Sequence, residues 1–226
     1  MTSRFLQELS RRVLVLDGAM GTSIHQRDLD VDRDYCGCEN CTDILVRSRP
    51  DVIGEIHREF LAAGCDAVET DSFGGARHVL AEFDIGDEAF SLNKMAGEVA
   101  RAACDRFTTA DKPRFAIGSM GPGTKLITLG NIDWTRMFES YREQARGLIA
   151  GGVDAFIIET CQDLLQVKCA INAVLAALDE RGKSADDVPI MASVTIETTG
   201  TMLLGTEIAA AAAALAEYPI CSLGLN

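Results

Sequence analysis

The feature that most constrains this chain is an alternation of short apolar runs with segments of helical period. The runs are Val13 to Leu16, Ala67 to Val68, Phe115 to Ile117, Ala155 to Ile158, Ile190 to Val194 and Ile220 to Leu225. Short and uniformly apolar, each reads as a parallel strand covered on both faces. Between them, Leu92, Met95, Ala96, Val99, Ala100, Ala103 and Phe107 share one helical stripe. So do Leu164, Val167, Ile171, Val174, Leu175 and Leu178, and Val52, Ile53, Ile56, Phe60 and Ala63. Stripes of this kind cover a sheet. Pro50 suits a first helical turn, and Gly64 and Gly182 fall where helices stop. Strand then helix, over and over, predicts an α/β fold with a parallel sheet.

Two segments echo each other. Ala63 to Thr70 (AGCDAVET) and Gly151 to Thr160 (GGVDAFIIET) both lead from a glycine turn into a strand that ends on Glu-Thr. Equivalent βα units favour a barrel over an open doubly wound sheet, and 226 residues come close to the roughly 250 such a barrel commonly takes. One domain spanning residues 1–226 is the expectation. In a barrel, the acids that close strands belong to the face where βα loops build sites, which brings Asp17, Glu69 and Glu159 to one mouth. Three carboxylates there suit a cationic group such as a substrate amine. The alternative is that each caps the following helix or pairs with a nearby arginine.

Composition narrows the partners. Hydrophobic residues at 47% and charged residues at 24% are those of a globular chain. The longest apolar stretch, Ile208 to Ala216, is far short of the roughly 20 residues that cross a bilayer. MTSRFLQELSRR carries charge where a signal peptide is apolar, so a cytoplasmic location is expected, with no membrane partner. A net charge of -13 repels polyanions and argues against nucleic acid.

Other candidate chemistry is thinner. Eight cysteines without an export signal read as reduced thiols. Cys36, Cys38 and Cys41 are close enough in sequence to reach one zinc ion, but lack paired knuckles and a fourth ligand, so a loop with incidental cysteines is the plainer reading. Gly118 to Gly123 (GSMGPG) could cradle an anion, yet no Gly-Lys-Ser/Thr follows, and an ordinary tight βα turn is expected. His25, His57 and His78 are scattered, with His57 expected as a surface or packing residue on a helix. No nucleophile elbow or Ser-His-Asp order supports hydrolysis.

The segment Leu14 to Thr22 (LVLDGAMGT) resembles the opening strand of the homocysteine S-methyltransferase family. Further segments match in family order: Arg49 to Ile53, Ala63-Gly64 with Glu69 to Phe73, Gly118 to Pro122, Phe156 to Thr160, and Leu203 to Thr206. Ile220 to Asn226 then resembles the family's Gly-Leu/Ile-Asn-Cys signature as far as its asparagine. The long insert at residues 24–48 is most similar to the cobalamin-dependent branch, whose members make methionine.

The resemblance implies a (β/α)8 TIM-type barrel of which about six βα units are present. It implies that Asp17 and Glu159 hold the ammonium of homocysteine, while N–H groups near Gly18 and Ala19 bind its carboxylate. It also implies a zinc ion on three cysteines, all placed beyond Asn226, that favours the substrate thiolate for attack on methylcobalamin. Cobalamin- and folate-binding modules would then belong to the same parent chain. Asp71 departs from the family, which often has Asn there, and could pair with Arg77 or alter contacts at the mouth. Two alternatives stay open: a noncatalytic piece unable to bind zinc, and a barrel for another thiol or selenol acceptor.

Overall fold

The computed structural model describes residues 3–226. Its helices are α1 (Arg4–Leu9), α2 (Met20–His25), α3 (Leu45–Ser48), α4 (Pro50–Ala63), α5 (Arg77–Leu80), α6 (Ala89–Phe107), α7 (Trp134–Ala150), α8 (Leu164–Asp179) and α9 (Ile208–Leu215). Its strands are β1 (Ala67–Glu69), β2 (Phe115–Met120), β3 (Ala155–Cys161), β4 (Ile190–Val194) and β5 (Ser222–Leu225). All pairings are parallel and run in chain order from β1 to β5. Sequential parallel strands joined by helices are the wall of a barrel.

Strand parity sorts the core into two layers. Ala67, Phe115, Ile117, Ala155 and Met191 turn inward and pack with Phe5 of α1. Phe5 meets Phe115 edge-on at 5.3 Å, so α1 plugs the barrel at the N-terminal ends of the strands. Met120, Phe156, Ile158, Ile190, Ala192 and Val194 turn outward and pack with residues of α7, α8 and α9. The predicted stripes on α4, α6 and α8 are the faces that pack inward, except that Ala63, at the end of α4, is exposed. Pro50 opens α4, and Gly64 ends it at φ +115°, a left-handed cap that favours glycine.

Two expected strands are shorter than their apolar runs. Among the described residues, Val13 to Leu16 makes one bridge, Leu16 with Ala67. The Asp66 carboxylate takes the Val15 N–H at 3.0 Å and Arg12 at 2.8 Å, substituting a side chain for a ladder partner. Val13 and Val15, at 84% and 57% exposure, have no helix over them. At the other edge, β5 begins at Ser222 rather than Ile220.

Helices α6 and α7 approach closely enough to require small residues. A Cβ on Gly147 would stand 2.6 Å from the Phe90 carbonyl oxygen and 2.8 Å from the Asn93 Cβ. No helix of the described residues is long and apolar enough to cross a membrane.

Candidate functional site

The inward parity that builds the core also builds the site. On β1, Ala67 faces in, Val68 out and Glu69 in. On β2 the inward series is Phe115, Ile117, Ser119, and on β3 it is Ala155, Ile157, Glu159. The first members of each series are apolar and fill the barrel; the last are polar and stand at the C-terminal ends of the strands. They line a cavity of about 380 Å3 together with Asp17, Gly18, Ala19, Met20, Thr42, Asp71 and Phe73. A cavity of this size suits a small molecule. Two larger cavities, about 500 and 590 Å3, lie outside the barrel, share Arg77, Arg136 and Ser140, and meet no strand end.

A bulge aims Glu159. Ile158 pairs with Ala192 and Cys161 with Val194, so β3 spends one residue more than β4 over this stretch. The extra residue is Thr160, at φ +60°, a rare conformation for a β-branched side chain. Its N–H donates to Ser193 Oγ at 3.2 Å. The bulge resets parity: Glu159 keeps the inward direction of Ala155 and Ile157, while Cys161 turns out to pack against the helices.

Hydrogen bonds hold the acids in place. Asp17 Oδ1 accepts the Glu69 N–H at 2.8 Å. Ser119 Oγ donates to Glu159 Oε1 at 2.6 Å. Behind them, the Ser119 N–H donates to Thr70 Oγ1 at 3.0 Å, Ser72 Oγ donates to the Ser119 carbonyl at 2.8 Å, and Gln144 Nε2 donates to the Ser72 carbonyl at 2.7 Å. This buried network ties β1 and β2 to α7. Among the described residues, neither Glu69 nor Glu159 pairs with a lysine or arginine, and Asp17 faces only His57. The capping and arginine-pairing alternatives for these acids are not what the structure shows.

Crowding acids into a half-buried mouth changes their proton affinity. Burial, then Glu159, then Asp17 push Glu69 up to about 8. Glu159 rises as well, through burial and the Asp17 charge, with the Ser119 hydrogen bond holding it back. Burial and the neighbouring acids therefore favour the protonated form of Glu69, which relieves repulsion in the site. Beside the acids, Ala19 takes a left-handed conformation (φ 54°) and starts α2. The first N–H groups of a helix have no partner within it, so this turn offers donors near Gly18 and Ala19.

Two expectations need correction. Gly118 to Met120 belong to β2, not to a turn, which starts at Gly121; Ser119 was hidden there, although the alternation Phe115, Ile117, Ser119 could have shown it. Asp71 does not meet Arg77, which pairs with Glu143 and Asp87. Asp71 is buried beside Asp43 and Thr42, and its proton affinity is pushed far up by burial and then by Asp43. Of the surface and packing readings of His57, the structure shows packing: the side chain is fully buried against Asp17.

The three clustered cysteines differ in exposure. Cys36 is exposed, Cys38 half-buried and Cys41 buried, with burial pushing the Cys41 thiol up to about 12. Among the described residues, no group of three or more His, Cys, Asp and Glu is placed to hold a metal ion.

The parallel wall, the apolar plug and the polar strand ends define a barrel of the class that builds a small-molecule site at its C-terminal mouth. A family model for homocysteine S-methyltransferase matches residues 14–226, and the chain belongs to that family of enzymes. It is 45% identical over 221 residues to a methionine synthase of Mycobacterium leprae (strain TN), covering 98% of this chain and 18% of that protein. A methionine synthase of Mycobacterium tuberculosis (strain ATCC 25618 / H37Rv) matches at the same identity and coverage. The chain thus spans 18% of the length of these curated relatives. Among solved structures, the metallated form of the homocysteine methyltransferase MmuM from Escherichia coli aligns with a TM-score of 0.77 and 21% identity, covering 99% of this chain and 77% of that one. Its oxidised form aligns with a TM-score of 0.75 and 22% identity, covering 96% and 75%. These likenesses support the barrel fold.

Proposed function

We propose that this barrel binds homocysteine for a methyltransferase that makes methionine, with Asp17 and Glu159 as ligands of the substrate ammonium. The observation that carries the reading is the convergence of Asp17, Glu69 and Glu159 on one small cavity, with no lysine or arginine paired to them among the described residues. A cation entering there favours the ionised form of the acids that line the cavity. The substrate carboxylate is assigned to the N–H groups near Gly18 and Ala19, where the first turn of α2 meets the cavity. Gripped at its amino-acid end, the ligand leaves its sulfur free for the new S–CH3 bond, with loss of the thiol proton.

The family implies zinc, which would lower the thiol pKa, and methylcobalamin as methyl donor. The residues here do not fit the metal: no described group of three ligands converges, and the eight cysteines lie apart from the mouth or pack into the core. We therefore place zinc, and the cobalamin- and folate-binding modules, outside these residues in a longer cytoplasmic protein. What this stretch supplies is binding and orientation.

The test compares homocysteine with 4-mercaptobutyrate, which lacks the ammonium, by calorimetry on the complete protein. Losing the partner of a desolvated charged pair should weaken binding roughly 30-fold or more. Equal affinities would remove the ammonium assignment.

A further inference from the structure

His57 lies on α4, between Ile53 and Phe60, and is completely buried. Neither ring nitrogen has a hydrogen-bond partner among the described residues. An idle polar group in the interior costs free energy, so its placement needs a reason. The nearest acid supplies one: Nδ1 stands 3.9 Å from Asp17 Oδ2, with the two side chains 0% and 3% exposed. The other Asp17 oxygen is already held by the Glu69 N–H at 2.8 Å.

We propose that His57 is a positioning residue for Asp17, donating its Nδ1–H to Oδ2 and fixing the carboxylate at the angle a substrate ammonium requires. The inference rests on the reading of Asp17 as an ammonium ligand. Electrostatics selects the tautomer: with the hydrogen on Nε2, the Nδ1 lone pair would face a carboxylate oxygen. Reaching hydrogen-bond length needs a movement of about 1 Å. A small rotation of Asp17 about its Oδ1 anchor provides that. Held at both oxygens from behind, Asp17 meets the ligand already oriented, so less side-chain freedom is lost on binding.

The experiment uses the complete protein with His57→Phe, which fills the space without a donor, and His57→Asn, which keeps an N–H near the place of Nδ1. Each is made alone and with Asp17→Asn, and homocysteine affinity, KM and kcat are measured. His57→Phe should weaken homocysteine roughly 10-fold, raising KM with kcat unchanged, while His57→Asn stays within about threefold of wild type. In the double variant the losses should not add: His57→Phe with Asp17→Asn should bind within about twofold of Asp17→Asn alone. Additive losses, unchanged affinity in His57→Phe, or a His57→Asn as weak as His57→Phe would overturn the positioning role. If the phenyl ring prevents folding, the smaller His57→Leu carries the same comparison. An Asp17→Asn variant with unchanged affinity would bring down the ammonium reading and this inference together. A weakened Asp17→Asn beside an unaffected His57→Phe would bring down this inference alone.

Discussion

Glu69→Gln should flatten the alkaline loss of stability at the barrel mouth. In the folded protein Glu69 is pushed up to about 8 from an ordinary value of 4.5, first by burial, then by Glu159 and Asp17. The stabilisation of its protonated form is complete below 4.5 and is lost as pH rises through about 8. Between those limits the native state keeps a proton that the unfolded chain has released. Each pH unit then costs about 1.4 kcal/mol, and the whole window amounts to about 5 kcal/mol. Glutamine keeps the size and neutrality of the protonated acid and has nothing to lose. Native-state hydrogen exchange on peptides spanning β1 to β3, corrected for intrinsic rates, reads the local opening free energy at pH 5 and pH 9. The wild type should lose several kcal/mol more than Glu69→Gln between the two. Parallel losses in both proteins would refute the assignment of a buried, protonated acid at this position.

Further outcomes follow from single contacts. Ser119→Ala removes the hydroxyl that holds Glu159 down, so Glu159 protonates at higher pH; homocysteine affinity should fall roughly tenfold at pH 6 and less at pH 8.5 by calorimetry. Gly147→Ala places a methyl against the Phe90 carbonyl and Asn93, and should destabilise the α6–α7 seam by about 1–3 kcal/mol, seen as a lowered melting temperature. Replacing Cys36, Cys38 and Cys41 together with serine should leave the zinc content of the complete protein unchanged by metal analysis, because these thiols do not converge on a metal site.

Much of this architecture was legible in the chain because apolar periodicity reports burial directly. The stripes of α4, α6 and α8 and the runs at Ala67, Phe115, Ala155 and Ile190 each contain residues that the core buries. Asp17, Glu69 and Glu159 were legible as strand-closing acids, since a carboxylate ending an apolar run has only the barrel mouth to face. What escaped depends on contacts distant in sequence. His57 reads like any helical polar residue until α4 is laid against Asp17, 40 residues away in the chain. Ser119 was masked by the glycines around it, although Gly118 serves to admit Leu148 and Phe156 at 3.1 and 3.2 Å from where a Cβ would stand. The bulge at Thr160 carries no glycine or other marker of its positive φ. The run at Val13 failed to form a full strand because a side chain, Asp66, took up the Val15 N–H.

The most direct test of the central claim is the homocysteine affinity of Asp17→Asn and Glu159→Gln in the complete protein, with zinc measured in the same samples. Each substitution keeps the shape of the side chain and removes the charge that would face the ammonium. Loss of one partner in such a desolvated pair costs on the order of 2–5 kcal/mol. The account predicts affinities weakened roughly 30-fold or more, with zinc content unchanged. Wild-type affinity in both variants would contradict it.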